Sequence, residues 1–179
     1  ALIDHKLGAW HPSSNKPLKG IGGVSRVIAY GVQSDLLNEG HVSTIINLGN
    51  GPITWGSRTT SGESVWAFTS VRRTADLING AVRDAYLEFV DKPFSAANIR
   101  LMLESGNAAM RNFKAIGAIL GGKVWMDAKL NEPTQLAQGK ITFSIDFEPP
   151  APMEDIRFVA HRNIEYYLDL TKDALTAAA

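Results

Sequence analysis

The pattern of apolar and polar positions divides the chain into a strand-rich opening, two amphipathic helices and a second strand-rich stretch. Residues 42–48 are β-branched and apolar and predict a strand. Asn50-Gly51 is a tight-turn signal, and Ile53-Thr54-Trp55 reads as the returning arm of a hairpin. From there 55–74, WGSRTTSGESVWAFTSVRRT, organises the rest. A polar turn over 57–64, freed by Gly56 and Gly62, leads into 65–71. There Val65, Ala67, Thr69 and Val71 alternate with Trp66, Phe68 and Ser70, which predicts another strand. Arg72 and Arg73 then stand where strand gives way to helix near Thr74, able to brace a carboxylate or to present a charged surface. Ahead of the hairpin, 8–23 is a loop and 24–30 a short strand. Residues 34–39 form a helical turn capped by Ser34 and stopped by Gly40.

Helical spacing takes over at 76–90, where Leu77, Ile78, Ala81, Val82, Ala85, Tyr86, Phe89 and Val90 share one stripe until Lys92-Pro93 ends it. Ser95 caps a second helix to about Ile116. Its seam holds Ile99, Met102, Leu103, Gly106, Met110 and Phe113. Glycine at 106 costs a helix about 1 kcal/mol relative to alanine, so its place in the seam predicts close backbone packing. Arg100, Glu104, Asn107, Arg111 and Lys114 populate the other side, as a solvated face or as a contact surface for a partner.

Residues 123–126 predict a strand, and 131–139 a polar connection with Pro133 and a cap at Thr134. Residues 140–148 give the cleanest strand: Ile141, Phe143, Ile145 and Phe147 point one way, and Thr142, Ser144, Asp146 and Glu148 the other. Pro149-Pro150-Ala151-Pro152 breaks it with a rigid joint. Strands are predicted again at 155–160 and in the alternation of Ile164, Tyr166, Leu168 and Leu170. No partner strand follows the last of these, so it pairs within its own sheet or leaves an edge for another chain. The fold class is α+β: a mixed, largely antiparallel sheet packed with two main helices in one domain over 1–179.

Composition removes several function classes. Lys plus Arg and Asp plus Glu number 18 each, so no bulk charge draws the chain to nucleic acid or an anionic membrane. With 0 cysteines there is no disulfide, thiol catalysis or thiolate metal site. No apolar run approaches the roughly 20 residues of a membrane-spanning helix, and no signal peptide opens the chain. The absence of an initiating methionine suggests a processed product or a piece of something longer. His5, His11, His41 and His161 lack metal-ligand spacing, the serines cluster in turns, and Asp146 with Glu148 read as a solvated strand face. No cofactor or metal is expected. Gly20-Ile21-Gly22-Gly23 lacks the spacing and Lys-Ser/Thr ending of a phosphate loop. It is the one plausible site for the rival reading, a free-standing nucleotide- or ligand-binding domain or enzyme.

Several motifs in order carry a resemblance: HPSSNKPLKGIGG at 11–23, DLLNEGHVSTI at 35–45, WGSRT at 55–59, VRRT at 71–74, GAILGG at 117–122 and PPAPMEDIRF at 149–158. Together they are similar to the C-terminal domain of contractile phage tail sheath proteins. The most specific positions are Trp55, Gly56, Arg58, Thr59, Arg72, Arg73, Pro152 and Glu154. The resemblance implies a non-enzymatic virion component, assembled in the host bacterial cytoplasm. Its subunits stack as hexameric rings around a tail tube and contract to drive the tube through the host envelope. It implies partners in neighbouring sheath subunits and the tube protein, with a phage-derived bacteriocin or other injection system as a close variant. It also implies a tube-proximal domain whose chain-end arms add strands to neighbouring sheets. The arm falls at 162–179, with Ile164, Tyr166, Leu168 and Leu170 as strand-exchange candidates and Arg100, Arg111 and Lys114 as tube-contact candidates. Sheath proteins of this type are longer and carry an N-terminal arm, so this piece alone is expected to be monomeric.

Overall fold

A computed structural model describes residues 7–177, with side chains up to Lys172. The opening forms a three-stranded antiparallel sheet in the order β1-β3-β2. Its strands are β1 (Lys16–Pro17), β2 (Thr44–Asn47) and β3 (Pro52–Trp55). The predicted hairpin is present: Thr44 pairs with Trp55 and Asn47 with Pro52, around the Asn50-Gly51 turn. Helix α1 (Val32–Glu39) precedes β2. Gly31 occupies its N-cap, and Ser34 lies inside the first turn with its hydroxyl accepting from the Gly31 N–H at 3.1 Å, so the expected Ser34 cap is shifted by one turn. Residues 24–30 do not form a strand. They contribute one isolated parallel bridge, Ile28 to Ile46, because that segment touches the sheet at a single residue.

The predicted strand at 65–71 is instead a short 3-10 turn (Ser64–Trp66) running into helix α2 (Thr69–Tyr86). Buried Val71, Thr74, Ala75 and Ile78 fall at the i, i+3, i+4, i+7 spacing of one helical face, and that longer-range period overrides the short alternation. Arg72 and Arg73 therefore sit inside the helix. On the same helix Leu77, Ala81 and Ala85 are exposed, so the core stripe is narrower than its apolar positions imply. Helix α3 (Ala96–Ala115) starts as predicted, with Ser95 accepting from the Asn98 N–H.

The second sheet pairs β4 (Gly121–Trp125) with β5 (Ser144–Glu148), antiparallel. The one sheet expected from sequence is thus two small ones, and the strand expected over 140–148 is confined to its second half. Between β4 and β5, Pro133–Ala137 forms a short helix α4 entered through Glu132, so Thr134 is not its cap. Buried Asn131 stitches the connection: its amide donates to the carbonyls of Asp127 and Thr142 and accepts from the Thr142 N–H at 2.7 Å. That side chain stands in for the ladder bonds that the first half of the predicted strand lacks.

The core lies where α2 and α3 cover β4–β5. Ile78, Met110, Ile119 and Val124 are buried together, with Val82, Leu103, Phe113, Phe143, Ile145 and Phe147 packed against them. Gly106 gives α3 its close approach, since a Cβ there would lie 2.5 Å from the Tyr86 hydroxyl and 3.0 Å from Val124 Cγ2. Tyr86 donates that hydroxyl to the Met102 carbonyl at 2.8 Å, and burial raises its pKa, keeping it a donor.

Past Pro152 the chain is exposed as far as Lys172. Residues 155–160 form no strand, because no ladder partner lies beside them, and Tyr166–Ala177 forms helix α5. The alternating strand predicted through Ile164, Tyr166, Leu168 and Leu170 is therefore overturned. An unpaired strand leaves its backbone groups unsatisfied, whereas a helix pairs its own.

Candidate assembly interface

The 55–74 stretch folds into a clamp. At the end of β3, Gly56 adopts φ 115° where a Cβ would strike Asn38 Oδ1 at 2.7 Å and Ser43 Cα at 2.9 Å. Only glycine fits that turn. Segments 57–59 and 67–69 then run antiparallel: the Thr59 N–H donates to the Ala67 carbonyl at 2.6 Å and the Thr69 N–H to that of Ser57 at 2.9 Å. Arg58 lies between these bonds, bridged to Phe68, with its guanidinium 5.3 Å from the Phe68 ring centroid. Its N–H edge meets Glu154: Nε donates to both carboxylate oxygens, at 2.9 and 3.1 Å, and Nη2 to one of them at 2.6 Å, across 96 residues of sequence. The Glu154 hydrogen bonds raise the Arg58 pKa against the lowering effect of burial. WGSRT and the Pro152-x-Glu154 motif, far apart in sequence, thus form one contact.

Arg72 takes the bracing role read from sequence. It donates to Asp76 at 2.8 Å one helical turn on, with its guanidinium 5.6 Å from the Trp66 ring centroid. Arg73 is half-buried beside it. Arg72 thus braces a carboxylate of its own helix and, through the Trp66 ring, ties the start of α2 to the turn before it.

Arg100, Arg111 and Lys114 are all exposed on α3. Eleven residues is close to three helical turns, so Arg100 and Arg111 align, with Lys114 one turn further. Asn107 departs from the solvated side on which sequence set it. Its amide donates to the Val124 carbonyl at 2.8 Å and accepts from the Val124 N–H at 3.0 Å, closing the outer edge of β4. A buried-edge role for asparagine has no helical-period signature, which is why spacing alone missed it. The opposite edge of the sheet, along β5, pairs with no strand among the described residues.

The C-terminal segment is the most exposed part of the molecule. Pro149 is buried, and Pro150 and Pro152 are half-buried, but from Met153 to Lys172 every residue is exposed. Phe158 shows 91% of its surface to solvent and Met153 86%. The strand-exchange candidates Ile164, Tyr166, Leu168 and Leu170 are exposed as well. Total accessible surface is 13215 Å², against about 8,500 Å² for a compact monomer of this mass.

An open groove of about 480 Å³ is lined by Val24, Arg26, Ile28, Leu37 and Ile45 among others, and the Gly20–Gly23 loop does not line it. Among the described residues no three of His, Asp and Glu converge as metal ligands, and no helix is long and apolar enough to cross a membrane.

A two-helix, two-strand core with a small three-stranded sheet before it and an exposed arm beyond it defines an α+β domain. Residues 61–161 match the phage tail sheath C-terminal domain, and the chain belongs to that family. It is 35% identical over 179 residues to the tail sheath protein of Burkholderia phage BcepMu, covering 95% of this chain and 38% of that protein. Against the tail sheath protein of Escherichia phage P2 identity is 33% over 162 residues, covering 87% and 40%. The chain spans about two-fifths of the length of these relatives. In fold it is similar to a chain of the anti-feeding prophage baseplate (TM-score 0.83, 22% identity, covering 91% of this chain and 48% of that one). It is also similar to one of the PVC extracellular contractile injection system sheath in its contracted state (TM-score 0.81, 18% identity, covering 92% and 49%).

Proposed function

We propose that this chain is the assembly domain of a contractile tail sheath subunit, a structural virion component that catalyses no reaction. The observation that carries the reading is the arm: apolar side chains from Met153 onward face solvent on a segment whose contact with its own domain is the Glu154 pair with Arg58. Such a segment is an interaction element awaiting a surface. The free edge of β5 offers a neighbouring copy main-chain groups to pair with, and residues 155–160, which form no helix or strand of their own, are a candidate donor.

The further candidates Ile164, Tyr166, Leu168 and Leu170 join that strand only by unwinding α5. A helix of 12 residues without tertiary support is marginal in water, so unwinding costs little. Contacts of this kind join unlike surfaces and so propagate along a helix of subunits rather than closing a dimer. Tethering through main-chain strands suits a lattice whose domains rotate past one another. Stacked rings around a tail tube, assembly in the host cytoplasm and residence in the phage tail belong to the same reading.

The test is negative-stain microscopy of the full-length protein that carries this domain. Hollow tubes are expected; discrete small oligomers would overturn the reading and return attention to a ligand-binding role. The tube-facing surface is assigned to Arg100, Arg111 and Lys114. Reversing all three charges is expected to weaken co-sedimentation with tube protein, increasingly so at low salt, while leaving the melting temperature near its original value. Unchanged co-sedimentation would move tube contact to another face.

A further inference from the structure

We infer that Arg58 and Glu154 form a latch that sets where, and in which direction, the C-terminal arm leaves the domain. The two halves of the pair are held very differently. Arg58 is fixed twice, by the backbone bridge to Phe68 and by the stacking of its guanidinium on that ring, 5.3 Å from the centroid. Glu154 belongs to a stretch with no ladder or helix of its own. The bidentate contact, 2.6 Å at its shortest, is therefore a prepared socket meeting a carboxylate on a loosely held segment.

Burial along the chain marks the same point. The proline joint lies against the body up to Pro152, and from Met153 to Lys172 the chain is exposed. The latch thus falls at the boundary between attached and free chain. Both side chains keep 39% of their surface in solvent, so the pair contributes little to global stability and can open without disturbing the core. Asn38, His41 and Ser57 line the small gap beside the pair and contribute no opposing carboxylate.

Arg58 sits in the segment that delivers the chain into α2, through Phe68 at the helix N-cap. A pull on the closed arm is therefore received at the start of α2, whereas a pull on the open arm is received by the proline joint that follows β5. If neighbouring copies hold the arm, which rests on the function proposed above, the latch selects which element of the domain they move.

The experiment needs only this chain. It has 0 native cysteines, so Asn79→Cys on exposed α2 and His161→Cys on the arm accept spin labels without background. Double electron–electron resonance is expected to show a confined separation in the otherwise unaltered chain. In Glu154→Gln or Arg58→Gln the distribution should broaden and reach separations up to roughly 7 Å longer, the span of the two residues freed after Pro152. Thermal melting of both variants should shift by no more than a few degrees, which distinguishes a positioning contact from a stabilising one. Identical distance distributions with and without the pair would overturn the latch. So would a fall in melting temperature of more than a few degrees on removing the pair. Neither outcome depends on sheath assembly, so failure here leaves the function proposed above standing.

Discussion

Replacing Gly106 with leucine is expected to destabilise the domain by about 3 kcal/mol and to lower its melting temperature by about 10 °C. The helix itself would welcome the change, because glycine in a helix interior costs about 1 kcal/mol relative to a good helix former. Packing decides the sign. A Cβ at 106 would lie 2.5 Å from the Tyr86 hydroxyl and 3.0 Å from Val124 Cγ2. Tyr86 has little room to yield. Its hydroxyl is bound to the Met102 carbonyl, and its ring meets Phe143 edge-on at 5.5 Å between centroids. Val124 is 4% exposed at the centre of β4. Gly80 supplies the control: it also sits inside a helix, α2, yet a Cβ there meets nothing within 4 Å. Gly80→Ala is expected to gain up to about 1 kcal/mol. Thermal melting followed by circular dichroism reads both. If the Gly106→Leu protein melts like the parent, the contact of α3 on β4 is looser than described.

That glycine was readable because it interrupts a helical seam, where a small residue is hard to explain except by close approach. The same logic made α3, the 44–55 hairpin and the burial of Phe143, Ile145 and Phe147 legible: each is a periodic pattern longer than one turn or one strand. The failures share a cause as well. Alternation over 65–71 is too short to separate strand from the first turn of a helix, and Val71, Thr74, Ala75 and Ile78 held the deciding period. Alternation over 164–170 was real but had no partner, and strand needs a partner where helix does not. The clamp was half visible. Arg58 and Glu154 each stood in a recognisable motif, but their contact spans 96 residues, and nothing local in a sequence encodes such a distance. Asn107 and Asn131 were invisible for another reason: an amide that imitates a strand's backbone bonds looks in sequence like any polar residue.

Removing residues 153–179 from the full-length protein is expected to abolish polymerisation while leaving this domain folded, and the two halves of that expectation rest on different observations. Folding survives because the described residues of the arm, Met153 to Lys172, are exposed throughout, so deleting them withdraws no buried area from the core. The deletion does sever Glu154 from Arg58, a half-exposed pair worth on the order of 1 kcal/mol or less. Melting should therefore shift by no more than a few degrees. Assembly fails because apolar surface such as Phe158, Ile156 and Val159, exposed in the free chain, is what a neighbouring copy would cover, and because the β5 edge of each neighbour would lose its donor strand. A shorter deletion, of 165–179 alone, separates two versions of the idea. If polymerisation survives the shorter deletion but not the longer one, the donor is the stretch around Phe158. If both deletions stop it, Tyr166, Leu168 and Leu170 take part, and α5 must unwind or dock to do so. Normal tubes from the longer deletion would refute arm exchange altogether and leave the exposed faces of α2 and α3 as the candidate assembly surfaces.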